Sequence, residues 1–251
     1  MSNDALGLHG RKAVVTGGAR GLGAAVVTRL YEAGVTGVVL DLNTALEAPP
    51  GWSSVRVDVR DESSLKVAFA EVADRLAAVD VVVAAAGVVP PWSSVRDLDL
   101  ESWDAVFAVN VRGLAATLRE VAPLLSSDSA FVAIASLNSW RGDANLMSYV
   151  ASKHAVLGVV RSAALELGPS GTRVNAVAPG PVATETLLER MQRRSAAGGL
   201  TVERALAAAA AETALGRMAS IDEVASATLF LAGRLSSGIT GHLLPVDAGI
   251  R

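Results

Sequence analysis

Residues 12–23 read Lys-Ala-Val-Val-Thr-Gly-Gly-Ala-Arg-Gly-Leu-Gly, and this stretch decides how the rest of the chain is read. A short apolar run stops at a glycine-rich turn, and a helical pattern continues to Ala33, so the spacing predicts strand, turn, helix. Gly17, Gly21 and Gly23 let the backbone of such a turn approach a pyrophosphate closely, while the free N–H groups and dipole at the helix N-terminus favour its charge. The spacing differs from G-x-G-x-x-G, so the mechanism matches and the letters do not. A tight turn with no ligand is the plainer reading of this stretch taken alone.

Working outward, a second strand at 37–40 ends in Asp41, eighteen residues after Gly23. A carboxylate there accepts hydrogen bonds from both hydroxyls of an adenosine ribose and repels a 2′-phosphate, which favours NAD. Arg20 in the turn is a cation that can partner a 2′-phosphate, so NADP is the weaker alternative. Apolar runs at 54–57, 80–87, 130–135, 173–178 and 242–246 read as further strands. Helical patterns at 61–77, 100–125, 148–167 and 221–233 alternate with them. Asp58, at a strand end, is placed to reach an adenine ring or to cap a helix.

Residues 43–52, with Pro49-Pro50-Gly51, and 88–99, with Pro90-Pro91 and Trp92, read as loops. The second follows a strand end, on the side where open α/β sheets bind ligands. The alternation runs on without linker, charge run or repeat, which predicts one doubly wound α/β domain. Segment 182–214 departs from the short connections elsewhere. It is rich in Ala and Arg with Gly198-Gly199 inside, and predicts two helices joined at a hinge, a lid on the substrate side. A surface helical insertion is the alternative.

Composition narrows the function classes. Half the residues are apolar (51%) and 19% are charged, which suits buried parallel strands under closely packed helices and excludes a disordered chain. A net charge of -3 with scattered Arg and Lys gives no electrostatic footprint for nucleic acid or an anionic membrane. The absence of Cys removes disulfides, thiolate metal sites and cysteine nucleophiles, and His9, His154 and His242 show no ligand spacing. Residues 1–12 lack the basic start and apolar run of a secretory signal, and no apolar run reaches the roughly 18 residues that span a bilayer. A cytoplasmic protein is expected.

Residues 149–153 read Tyr-Val-Ala-Ser-Lys. On a helix Tyr149 and Lys153 share a face, and a nearby ammonium favours the phenolate of a tyrosine whose ordinary pKa of about 10 is too high for a base near neutral pH. A partly buried aromatic beside a solvated lysine is the bland alternative. The set Thr16-Gly17-x-x-x-Gly21-x-Gly23, Asn110 followed by Gly113, Ser136 thirteen residues before Tyr149, Tyr149-x-x-x-Lys153 and Pro179-Gly180-x-x-x-Thr184 resembles the classical short-chain dehydrogenases/reductases from about Lys12 onward.

The resemblance implies one Rossmann-type domain over residues 1–251, with about seven parallel strands and helices on both faces. It implies Tyr149 as general acid/base and Ser136 as hydrogen-bond partner of the substrate oxygen. Lys153 would hold the nicotinamide ribose and tune Tyr149, and Asn110 would hold a relay water. Cofactor contacts carry over onto Gly17, Arg20, Gly21, Leu22 and Gly23, onto Asp41, Leu42, Asp58, Val59 and Gly87, and onto Pro179, Gly180, Val182 and Thr184. Thr184 would meet the nicotinamide carboxamide. Ser139 is the rival of Ser136, but its spacing to Tyr149 does not fit.

One departure concerns the end of the fourth strand. The family commonly has Asn-Asn-Ala-Gly there and this chain has Ala84-Ala85-Ala86-Gly87, so a brace for that strand is missing. Val88, Val89, Pro91, Trp92, Leu137, Trp140 and Leu146 are expected to line an apolar substrate pocket with an aromatic wall, suited to a secondary alcohol or ketone with a hydrophobic or cyclic body. The family also implies homotetramers or homodimers, packed through helices around 104–124 and 148–168. An NADP-dependent ketoreductase, a non-catalytic dinucleotide-binding regulator, and a dehydratase or epimerase are the rival readings.

Overall fold

The computed structural model describes residues 4–44 and 48–250. Parts of the expected N-terminal segment and of the 43–52 loop lie outside the described residues. Seven strands form one sheet: β1 (Lys12–Thr16), β2 (Thr36–Asp41), β3 (Trp52–Arg56), β4 (Val79–Ala84), β5 (Leu125–Ile134), β6 (Arg173–Pro179) and β7 (Leu243–Val246). Their order is β3-β2-β1-β4-β5-β6-β7, and every pair is parallel. The order reverses between β1 and β4, where Thr16 stands beside Ala84. In doubly wound sheets that reversal opens a crevice at the C-terminal strand ends, where ligands bind.

Strand alternation feeds two cores. Val14 and Val82 face one side with Leu65, Phe69 and Val72 of α2 (Glu62–Leu76) and Val156 and Val160 of α5 (Met147–Leu167). Ala13, Val15, Val81 and Val83 face the other with Val26 and Leu30 of α1 (Gly21–Glu32) and Val224 and Leu229 of α8 (Ile221–Ala232). The expected fold class is therefore the observed one. A strand covered on both faces has no polar side to show, hence the continuous apolar runs.

Two expected elements differ. The helical pattern at 100–125 is divided into α3 (Leu100–Phe107), a π-helical stretch (Ala108–Gly113) and α4 (Leu114–Val121). The chain then makes a short 3₁₀ turn containing Pro123, and Leu125 already belongs to β5. Proline supplies no N–H to continue a helix, which explains the early stop. The apolar run at 80–87 leaves the sheet after Ala84. Segment 182–214 forms α6 (Glu185–Ala196) and α7 (Val202–Ala211), with Gly198 at φ +88 between them.

Candidate active site

The β1–α1 turn is shaped by steric necessity. Gly17 has φ +67, and a Cβ on it would stand 2.6 Å from the backbone nitrogen of Ala86; a Cβ on Gly23 would stand 2.1 Å from the carbonyl of Gly17. These two glycines close the turn on itself and on the end of β4. Gly21 differs, for it has φ +56 and a Cβ there would meet nothing within 4 Å. Among the described residues nothing crowds the α1 N-terminus at Gly21, and its N-cap, Arg20, makes no side-chain cap hydrogen bond. By contrast Asp61, Asp99, Thr184 and Ser220 cap α2, α3, α6 and α8. An uncapped helix start with room beside it and no acidic residue in its first turn fits a pyrophosphate.

Asp41 ends β2 beside this turn and already holds it, accepting from the backbone N–H of Ala19 at 3.0 Å and of Asn43 at 3.0 Å. Arg20 is exposed, as is Leu42. Asp58 pairs with Arg60 at 2.7 Å, and that hydrogen-bonded guanidinium holds its carboxyl below the usual range. The cap of α2 is Asp61 and not Asp58. Val59 is buried under Gly113, where a Cβ would stand 2.8 Å from the Val59 side chain.

The missing brace on β4 is supplied from elsewhere. Thr16 accepts from Ala85 N–H through its carbonyl (3.0 Å) and from Ala86 N–H through Oγ1 (3.4 Å). Asn110 lies in the π-helical stretch and is buried; its Oδ1 accepts from Val88 N–H at 2.8 Å, and its Nδ2 donates to the Val88 carbonyl at 3.0 Å and to Ser152 Oγ at 3.1 Å. Ser152 Oγ in turn donates to the Tyr149 carbonyl at 2.7 Å, so strand end, π stretch and α5 are tied together. Gly87 sits over this knot, 3.4 Å from Asn110 Oδ1 and 3.8 Å from Lys153 Nζ at the position of a missing Cβ.

α5 carries Tyr149 and Lys153 on one face. Lys153 is buried, and its Nζ donates to the Ile134 carbonyl at 2.9 Å and lies 5.7 Å from the centre of the Tyr149 ring. Burial pushes the ammonium down to about 8. For Tyr149 burial pushes the phenol up, while the Ser136 hydroxyl and the charge of Arg190 favour the phenolate and Asp143 opposes it. Ser136, at the end of β5, accepts from Asn138 N–H at 3.2 Å and keeps its own proton to donate. A cavity of about 10 Å³ lined by Thr16, Asn110, Thr117 and Lys153 lies behind these groups, at the threshold of room for one water.

The second half of the site comes from the β6 end. Gly180 N–H donates to the Val246 carbonyl at 3.0 Å, and a Cβ on Gly180 would stand 2.7 Å from Asp247 Cβ. Pro179 and Val182 are buried, and Thr184 Oγ1 caps α6 by accepting from Leu187 N–H at 3.3 Å. Of the expected pocket residues, Val88 and Trp140 are exposed, Trp92 and Leu137 half-buried, and Leu146 buried at the start of α5. The sequence reading missed Ser152 and Arg190. Arg190 stacks on Trp92, its guanidinium carbon 4.0 Å from the ring centre. Nothing in the run Arg190, Arg193, Arg194 singles it out; only the fold does.

A family model described as enoyl-(acyl carrier protein) reductase matches residues 17–251. The chain is 34% identical to cis-4-hydroxycyclohexanecarboxylate dehydrogenase of Sinomonas cyclohexanicum, over 95% of this chain and 96% of the relative. It is 31% identical to (+)-borneol dehydrogenase 2 of Salvia officinalis, over 97% and 90%. Among solved structures, ligand-free aldohexose dehydrogenase of Thermoplasma acidophilum superposes with a TM-score of 0.90 at 28% identity, covering 96% of this chain and 94% of that one. Nearly full-length similarity to these dehydrogenases makes the chain an oxidoreductase for which a nicotinamide dinucleotide is the implied cofactor, and it belongs to the classical short-chain dehydrogenase/reductase family.

Proposed function

We propose that the protein interconverts a secondary alcohol and the corresponding ketone with NAD(H), on substrates with a hydrophobic, cyclic body. The observation that carries this is the grouping of Ser136 and Lys153 around Tyr149, linked through Ala86 and Gly87 to the turn that leads into the uncapped start of α1. The relatives named for a hydroxycyclohexanecarboxylate and for borneol add that cyclic alcohols suit this frame. NAD rather than NADP rests on Asp41, whose carboxylate stands at the turn and repels a 2′-phosphate.

When bound, the nicotinamide supplies or accepts the hydride. The chain's own residues manage position and protons. Ser136 donates its hydroxyl proton toward the substrate oxygen and fixes it near Tyr149. Tyr149 then removes the alcohol proton in oxidation or returns it in reduction. In the unliganded protein burial keeps the phenol protonated, so the basic form needs Ser136, a neighbouring cation and the bound cofactor to be reached. Lys153 would hold the ribose, and a water in the small cavity that it shares with Asn110 would pass protons onward from it. Thr184, at the head of α6, would hold the nicotinamide carboxamide, and α6–α7 would cover the substrate as a lid. Packing into homotetramers or homodimers through the helices around 104–124 and 148–168 goes with this reading.

A panel of alicyclic, terpenoid and aryl alcohols and aldohexoses, each with NAD and with NADP and followed by nicotinamide absorbance, tests the reading. Turnover of cyclic alcohols with NAD is expected. Activity on aldohexoses alone refutes the apolar pocket, and a preference for NADP refutes the role of Asp41.

A further inference from the structure

Arg190 is a cation in an unusual setting. It stands on α6, six residues after Thr184, with its guanidinium over Trp92, and Arg194 one turn later approaches the same ring at 5.1 Å. Its Nε and Nη2 are buried and have no hydrogen-bond partner among the described residues. Asp143, the acid whose charge reaches it, is exposed and takes neither donor. Withdrawing two donors of a charged group from water without replacing their hydrogen bonds is unfavourable, and contact with an indole face offsets only part of that. The surface arginines show the usual alternative, as Arg217 reaches both oxygens of Glu223 at 2.9 and 2.7 Å.

The two unmade donors have a particular geometry. Nε–H and the Nη2–H beside it project in parallel from one edge of the guanidinium, the fork that matches both oxygens of a carboxylate. The charge of Arg190 acts on Tyr149, the reacting end of the site. Dinucleotide phosphates belong at the start of α1. We propose that Arg190 anchors a carboxylate carried by the substrate at a distance from its carbinol carbon, with Trp92 packing against the apolar body between them. This rests on the alcohol–ketone reading above and narrows its substrate class to cyclic hydroxy acids and keto acids. It also assigns α6 a task in selection, because the anchor arrives with the helix.

Two measurements test it separately from the chemistry. The first is turnover of hydroxycyclohexanecarboxylates hydroxylated at ring position 3 or 4, each against its carboxamide, in wild type, Arg190→Lys and Arg190→Gln. The acid-to-amide ratio of kcat/KM is expected to be on the order of 100 in wild type, about 10 in Arg190→Lys, which keeps charge and loses the fork, and about 1 in Arg190→Gln. The second is calorimetric binding of cyclohexanecarboxylate, which has no hydroxyl to oxidise, to the NAD-loaded protein and to its Tyr149→Phe variant. Binding is expected in both and is expected to be lost in Arg190→Gln. If the carboxylate binds through Arg190 and no alcohol is oxidised, the anchor stands and the hydride reading falls. If cyclic alcohols turn over but the acid-to-amide ratio is the same in wild type and Arg190→Gln, the hydride reading stands and the anchor falls. Absence of Arg190-dependent binding likewise overturns the anchor.

Discussion

In the proposed reading the ends of β1, β4 and β5 and the segment 182–214 serve one site, but they are held by different physics. At the strand ends Thr16, Asn110, Ser136 and Lys153 are buried, and Asn110 alone makes three hydrogen bonds to three different groups. In α6 and α7 no residue is fully buried, and the two helices are joined through Gly198 at a positive φ. Buried, hydrogen-bonded groups open only with the whole fold, whereas an exposed helical excursion opens locally at small cost. Reacting groups sit where geometry is fixed by the core, and the proposed substrate contact Arg190 sits where geometry can change. Substitutions in the first region should therefore alter rate or stability, and those in the second should alter choice of substrate and local opening.

The sharpest break of that contrast would be a tolerant Tyr149. Tyr149→Phe removes the hydroxyl proposed to transfer the proton and keeps the ring, so kcat is expected to fall on the order of 10³-fold, while NADH affinity measured by fluorescence titration stays within about threefold. Near-normal turnover would remove Tyr149 from the chemistry and leave the rigid region without its reason.

Lys153 gives the next largest effect, in stability. Burial lowers its pKa from the ordinary 10.5 to about 8, so between those values the unfolded chain holds a proton that the folded protein has released. Stability then rises with pH across that window; the depression corresponds to about 3 kcal/mol, a penalty fully present below pH 8. Urea unfolding of the cofactor-free protein at about pH 7 and about pH 10 is expected to show this rise in wild type relative to Lys153→Met. The same slope in both proteins would mean that Lys153 is not held charged at a desolvation cost.

How much of this was legible in the sequence follows the same division. The sheet was readable because strands covered on both faces must be apolar throughout, and the turn was readable because Gly17 and Gly23 admit no side chain. The helix boundary near residue 121 was not readable from periodicity, because apolar residues continue through Pro123 into β5. Asn110 was singled out as a relay, yet its side chain also ties Val88 to Ser152, a contact between positions 22 and 42 residues away that no local pattern encodes. Arg190 was invisible for a similar reason: its partner Trp92 lies on a loop distant in sequence from α6, and its distinguishing property is the hydrogen bonds it does not make.

Asp41 lies on the rigid side, where it braces the turn and, in the proposed reading, also sets cofactor preference. Asp41→Asn keeps an acceptor for the N–H of Ala19 or Asn43 and removes the charge that repels a 2′-phosphate. The NADP-to-NAD ratio of kcat/KM is expected to rise about tenfold, roughly 1.4 kcal/mol. An unchanged ratio, with the variant as stable as wild type, would leave Asp41 as a brace only.

The smallest effect tests the other side of the contrast. Thr201 caps α7 by accepting from Arg204 N–H at 3.3 Å. Losing an N-cap costs about 1 kcal/mol, which in a segment that opens by itself becomes about a fivefold increase in opening and is not felt by the global transition. In Thr201→Ala, hydrogen exchange of the α7 amides is therefore expected to quicken about fivefold, while the melting temperature moves by no more than about 1 °C. A drop of several degrees would show that α6 and α7 unfold together with the sheet. In that case the helix carrying Arg190 would be as fixed as the strand ends, and substrate choice would have to be explained by a preformed pocket instead of a moving one.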